Sequence, residues 1–299
     1  MTILITGAHG QLGNELQKIL EEGASERGIL PLFYAQRMIV AVDVNELDIT
    51  SSDAVDSFFT LHKPNIVFNC AAMTNVDGCE GNEEAAYLVN AVGPKNLAVA
   101  CERHGARLMH LSTDYVFDGL GTRPYVESDV PAANTAYGRS KLAGERFVLE
   151  TCKDSCICRT AWLYGYAGNN FVKTMLKLAR EKGQLTVVND QVGNPTSAVD
   201  LAWQLVLLAA SEETGIFHCT CNGDAVSWNA FAKRIMEKAG LAVEVKACTT
   251  AEFPRPAKRP AYSALENRHL RETIGDSMRD WKEALDSFLE HYLEQERRQ

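Results

Sequence analysis

A short apolar strand that runs directly into three glycines, each separated by two residues, constrains this chain more than any other feature. Thr2-Ile3-Leu4-Ile5-Thr6 reads as a buried strand, Gly7-Ala8-His9-Gly10-Gln11-Leu12-Gly13 follows at once, and a helical pattern begins there. Glycine is required in such a turn because its backbone angles are ones a Cβ disfavours, and because a pyrophosphate must reach the main chain. The helix must also pack closely on the sheet. Free N–H groups at the start of that helix then hold phosphate.

Further strand patterns at 38–42, 65–69, 107–112 and 156–159, each followed by a helical pattern, extend this start into an alternating chain. The expected fold is α/β, a Rossmann-type doubly wound parallel sheet with a smaller C-terminal substrate lobe. Residues 1–160 are expected to form the dinucleotide-binding domain. Residues 161–299 are assigned mainly to the lobe and a C-terminal helix, with later segments free to return to the sheet. Helices are expected at 199–210, 228–239 and 277–298, and the 21–37 stretch reads as a peripheral elaboration. Asp43 closes the second strand, where a carboxylate accepts from adenosine ribose hydroxyls and repels an additional phosphate, which favours NAD over NADP.

No apolar run is long enough to cross a bilayer, and the first residues form a strand without a basic leader, so neither a membrane partner nor a secretion signal is expected. Nine cysteines, an odd number scattered through apolar segments, point to reduced thiols and a cytoplasmic location. A net charge of −9 disfavours nucleic acid as a partner and leaves room for a local basic anion pocket.

Tyr137-Gly138-Arg139-Ser140-Lys141 sets a phenol and an ammonium four residues apart, on one helix face. That spacing is common by itself and gains weight from the glycine turn. The wider pattern comprises Leu47-Asp48-Ile49-Thr50, then Asn69-Cys70-Ala71-Ala72 with Thr74, Val76 and Asp77, and then Ser112-Thr113-Asp114-Tyr115-Val116-Phe117. It continues with Arg159-Thr160-Ala161-Trp162-Leu163-Tyr164-Gly165, Asn189 to Thr196, and Arg255-Pro256-Ala257-Lys258-Arg259-Pro260 before Ser263. With these residues the chain resembles the dTDP-4-dehydrorhamnose reductase family, extended short-chain dehydrogenases of nucleotide-sugar metabolism, over nearly its whole length. Cys70, where a small residue such as alanine is common, and the long 21–37 stretch are the mild departures.

The resemblance implies NADPH- or NADH-dependent reduction of the C4 ketone of a dTDP-linked keto sugar by a monomer or homodimer. Thr113, Tyr137 and Lys141 become the catalytic set. Cofactor contacts fall to Gly7, His9, Gly10, Gln11, Leu12, Gly13, Asp43, Asp48, Ile49, Cys70, Ala71, Ala72 and Thr74, together with Tyr137 and Lys141. Substrate contacts fall to Val76, Asp77, Thr113, Asp114, Tyr115, Trp162, Asn170, Arg255 and Arg259. The chemistry is consistent with these types: reduction needs a proton on the ketone oxygen, and a free phenol titrating near pH ~10 is a slow donor. Lys141 and the positive charge that grows on the nicotinamide both favour phenolate. Thr113 can bond the same oxygen, and the Arg255 and Arg259 loop suits a diphosphate.

Related dehydratases carry an Asp-Glu pair after the threonine; here Tyr115 stands in place of the Glu, which favours simple reduction. An epimerase and a non-catalytic nucleotide-sensing subunit, known in one regulatory partner of methionine adenosyltransferase, remain open alternatives. No metal is expected, because Cys156/Cys158 and Cys219/Cys221 lack the second knuckle of a closed zinc site. Some relatives bridge subunits through carboxylates and magnesium. Glu15 could join such a bridge, but an exposed helical Glu is the expected reading.

Overall fold

The computed structural model describes residues 1–298. Six strands form one sheet in the spatial order Gly215–His218, Ser155–Thr160, Arg107–Thr113, Ile66–Asn69, Thr2–Thr6, Met38–Val42, and every pair is parallel. The chain steps outward from Thr2–Thr6 to Met38–Val42, then returns across its first strand and builds the sheet in the other direction. That reversal leaves a crevice beside Thr2–Thr6, where the glycine turn emerges.

Strands with helices on both faces must be apolar on both faces. Ile3, Leu4 and Ile5 are all fully buried. Alternation along the strand sends Ile3 and Ile5 with Phe68 and Met109 into one core layer, against the helices Gln11–Glu22 and Ala198–Ala209. Leu4, Val67 and Leu108 enter the opposite layer, against Ser52–His62 and Gly93–His104.

The second half of the chain is shared between two places. Ala198–Ala209 and Gly215–His218 rejoin the first layer. A small lobe comprises Gln184–Val188 paired with Glu244–Cys248, Val192–Gly193 paired with Val226–Ser227, and the helices Phe171–Lys182 and Trp228–Lys238. The last helix is Trp281–Arg298 and begins four residues later than its pattern suggests. Residues before it are held elsewhere: Met278 and Arg279 carbonyls accept from Asn222, and Ser277 bonds Gln204.

The 21–37 stretch lies largely at the surface, with Leu30 and Tyr34 as its buried anchors. Tyr34 is fully buried and its hydroxyl donates to the Val206 carbonyl at 2.7 Å. Arg27 donates to the Ser277 carbonyl, and Glu26 pairs with Arg279, so the stretch clasps the Ala198–Ala209 helix and the approach to the last helix. Glu15 departs from expectation: it is 2% exposed, and burial raises its carboxyl above the ordinary range. All nine cysteines are free thiols. Among the described residues, no helix is long and apolar enough to cross a membrane.

Candidate active site

A cleft of about 1150 Å³ opens at the carboxyl ends of the strands. Its wall takes in Gly7, Gly10, Gln11, Leu12 and Gly13 from the turn, then Asp43, Asp48, Ile49, Cys70, Ala71, Ala72 and Thr74. Thr113, Asp114, Tyr115, Tyr137 and Lys141 line it too, as do Val76, Asp77, Trp162, Arg255 and Arg259. Segments far apart in sequence, Thr186 to Gln191 and Phe253 to Pro260, face this same cleft.

The glycine turn fits a dinucleotide. Gly7 has φ +64°, and a Cβ there would lie 2.7 Å from the Ala71 nitrogen; a Cβ on Gly13 would overlap the Gly7 carbonyl. Glycine is thus required for the turn to close on the neighbouring backbone, at the start of a helix whose N–H groups suit a pyrophosphate. Asp43 accepts from the backbone N–H of Val44 at 2.8 Å and of His9 at 3.2 Å. His9 itself does not line the cleft, and its side chain is largely exposed.

The helix Ala136–Thr151 carries Tyr137 and Lys141. Thr135 caps it by accepting from the Gly138 N–H at 3.0 Å. Gly138 has no room for a Cβ against the Tyr115 carbonyl, so the helix seats directly on the turn that follows Thr113. The Tyr115 ring meets Tyr137 edge-on, with centroids 5.5 Å apart. Asn90, fully buried in a π-helical turn at Leu88–Val92, ties this helix to the cofactor segment. Its Oδ1 accepts from Met73 N at 2.8 Å, and its Nδ2 donates to the Met73 carbonyl and to Ser140 Oγ. The sequence reading missed Asn90; the signal was a polar residue in an apolar helical run just before Gly93-Pro94.

Electrostatics around the catalytic set differ from expectation. Burial pushes the Tyr137 phenol above its ordinary value, with a hydrogen bond to Thr113 opposing it and Asp114 and Cys79 reinforcing it. Lys141 donates to the Leu111 carbonyl at 2.5 Å, and burial lowers its ammonium to about 8 against the pull of Glu145. Burial is thus the leading influence on the phenol in this cleft. Thr113 Oγ1 donates to Asp114 Oδ1 at 2.9 Å and accepts from Tyr115 N.

Asp114 is buried with Oδ2 unpartnered, and burial raises its carboxyl to about 6, opposed by hydrogen bonds that include Ser263 and Thr113. The unfolded carboxyl titrates near 3.8. Between those values the folded chain holds more protons, so stability falls as pH rises and the full cost is present above pH ~6. Asp114→Asn should therefore stabilise the ligand-free fold by roughly 3 kcal/mol at pH ~7.5, with the gain vanishing near pH ~4. Urea unfolding at the two pH values checks this; equal gains at both would refute it.

Arg259 is paired with Asp77 at 2.8 Å, and Asp77 also accepts from Ala257 N, so Asp77 holds the basic loop against the cleft. The Arg255 guanidinium lies 4.7 Å over the Phe253 ring. Asn170 is removed from the cleft wall by its own hydrogen bonds. It caps Phe171–Lys182, accepting from Lys173 N, and donates to Gln11 Oε1 and the Gly165 carbonyl.

Residues 1–294 match the family model described as the RmlD substrate binding domain. A dTDP-4-dehydrorhamnose reductase from Aggregatibacter actinomycetemcomitans is 40% identical, over 95% of this chain and 96% of that protein. The crystal structure of a dTDP-4-dehydrorhamnose reductase from Clostridium acetobutylicum superposes with a TM-score of 0.92 at 48% identity, covering 98% of this chain and 100% of that one. A Bacillus anthracis dTDP-4-dehydrorhamnose reductase, solved in complex with NADP, gives 0.90 at 39% identity and covers 97% and 99%.

Proposed function

Since this chain belongs to the RmlD substrate binding domain family, we propose that it is a dTDP-4-dehydrorhamnose reductase. It reduces the C4 ketone of dTDP-4-dehydro-6-deoxy-L-mannose to dTDP-L-rhamnose with NADPH or NADH. The observation that carries this reading is the convergence of Thr113, Tyr137 and Lys141 in the same cleft as the glycine turn. The cleft of about 1150 Å³ exceeds the ordinary range for a single small ligand, which supports a site for two.

When bound, the reduced nicotinamide supplies the hydride that goes to the ketone carbon. In our reading Tyr137 gives its proton to the ketone oxygen. Thr113, held by the Tyr115 N–H, turns its one proton from Asp114 to that oxygen and orients it. Lys141 sets a positive charge one turn along the same helix face, which favours the phenolate left behind. Tyr115, where dehydratases carry a Glu, offers no carboxylate to remove a proton from the sugar ring, which supports reduction over elimination.

The glycine turn, Asp43 and the segment 70–74 take the dinucleotide. Residues 1–160 supply most of that half, and 161–299 most of the sugar half. Arg255 and Arg259 serve the substrate diphosphate, with Asp77 as the internal counter-ion that keeps Arg259 in place. The nine free thiols support a cytoplasmic protein, which we take to act as a monomer or homodimer.

The test is loss of reduced-nicotinamide absorbance on mixing the purified protein with dTDP-4-dehydro-6-deoxy-L-mannose, with NADH and NADPH in parallel and identification of the sugar. Oxidation with formation of dTDP-L-rhamnose is expected. Binding of a cofactor without oxidation by this substrate would overturn the reading.

A further inference from the structure

Trp162 is one of two non-glycine residues with positive φ among those described, at +48°. The other, Lys63, ends a helix, where a left-handed residue is ordinary. A bulky aromatic residue in that region is strained and persists only where its surroundings over-determine it, and such positions cluster at ligand sites. Here the surroundings are specific. The Trp162 indole stacks on the Trp228 indole with ring centroids 3.4 Å apart and planes within 6°. At its edge is Gly193, where a Cβ would lie 2.7 Å from Trp162 Cε2 and 2.8 Å from Nε1.

Both restraints come from one small piece of the lobe. Val192–Gly193 pairs antiparallel with Val226–Ser227, and Trp228 opens the helix immediately after that ladder. Ser227 caps the helix by accepting from Ala230 N at 3.1 Å and donates to Asn189 Oδ1 at 2.7 Å. The Phe171 ring supports Trp228 from the side at 4.4 Å. Trp162, Trp228 and Phe171 all line the cleft, so the stack forms part of its wall.

We propose that Trp228 is a positioning residue of the sugar subsite: it clamps Trp162 in its left-handed conformation at the cleft wall. Sugar binding depends on it and dinucleotide binding does not. The proposal rests on the nucleotide-sugar reading above. The glycine turn that takes the dinucleotide is built from a separate part of the chain, which is why the two affinities separate.

The experiment compares Trp228→Leu, Trp228→Phe and Gly193→Ala with the unmodified protein. Calorimetry gives the Kd for dTDP-L-rhamnose, fluorescence the Kd for NADPH, and steady-state assays the KM and kcat for the keto sugar. Trp228→Leu is expected to raise the sugar-nucleotide Kd and KM about tenfold with the NADPH Kd unchanged, and Trp228→Phe to recover most of the loss. Gly193→Ala, whose Cβ would press on the indole edge and on Ser263 Oγ, should weaken the sugar nucleotide in the same way; it decides the matter if Trp228→Leu does not fold. A merely structural role would lower both affinities together or neither, and that result overturns the proposal. If the unmodified protein fails to bind dTDP-L-rhamnose, the substrate reading falls and this proposal with it. Normal binding that Trp228→Leu and Gly193→Ala leave unchanged overturns only the role of Trp228.

Discussion

Tyr137→Phe is expected to lower kcat about a thousandfold while the Kd for reduced nicotinamide stays within about twofold. The substitution deletes one hydroxyl from a side chain that is 9% exposed. The ring keeps its edge contact with Tyr115, and the helix keeps the Thr135 cap and the Ser140 bond to the Tyr137 carbonyl. What disappears is the proton source and its hydrogen bond to Thr113. A phenol at or above its ordinary value carries that proton throughout the neutral range. Lys141, the other proton-bearing member of the catalytic set beside Thr113, is turned toward the Leu111 carbonyl. Single-turnover kinetics with saturating NADPH, and cofactor titration by fluorescence, separate the two quantities. Turnover within about tenfold of the unmodified protein would refute the assignment of Tyr137 as the acid.

The features that were legible in the sequence share a property: each is local. A strand, a glycine turn and a helix within thirteen residues, or a tyrosine and lysine four apart, are written along the chain. Five of the six sheet strands were equally legible as largely apolar runs; Gly215–His218, only four residues long, was not. Glu15 could have been found too, since it stands three residues after Leu12 and four before Ile19, on the stripe those residues bury. Asn170 precedes an amphipathic run and is a helix cap by its type and position. Other features have no local signal. Tyr34 bonds Val206 across 172 residues, which turns an insertion into a clasp. Trp228 reads in sequence as one more aromatic at the start of an amphipathic helix, and only the register of the Val192–Gly193 ladder reveals its partner. The raised phenol of Tyr137 likewise depends on how deeply three separate segments bury it.

The largest loss of stability is expected at a pair that touches the cleft only through its neighbours. Glu145 and Arg159 are 2% and 1% exposed and meet bidentately, at 2.8 and 2.7 Å. Glu145 also accepts from Ser112 Oγ, and the Arg159 guanidinium lies 5.1 Å from the Phe117 ring. Ser112 and Arg159 directly precede Thr113 and Thr160, two residues paired at adjacent strand ends. Glu145 follows Tyr137 and Lys141 at four-residue steps on the catalytic helix, so the pair fixes that helix to those strand ends. Glu145→Leu leaves the guanidinium buried without its counter-charge, and Arg159 Nη1 already lacks a partner. The expected cost is about 3–5 kcal/mol, a large part of the stability of an ordinary domain. Glu145→Leu combined with Arg159→Met removes both charges together and should recover most of that loss, because the attraction of such a pair barely exceeds the cost of desolvating it. Urea unfolding of the two single variants and the double variant closes the cycle. Recovery of the fold should still not restore Lys141: without the Glu145 charge its ammonium falls further below about 8, and the alkaline limb of activity should move to lower pH. A single-variant cost under about 1 kcal/mol, or an unmoved pH profile in the refolded double variant, would show that the pair neither supports the fold nor tunes the lysine.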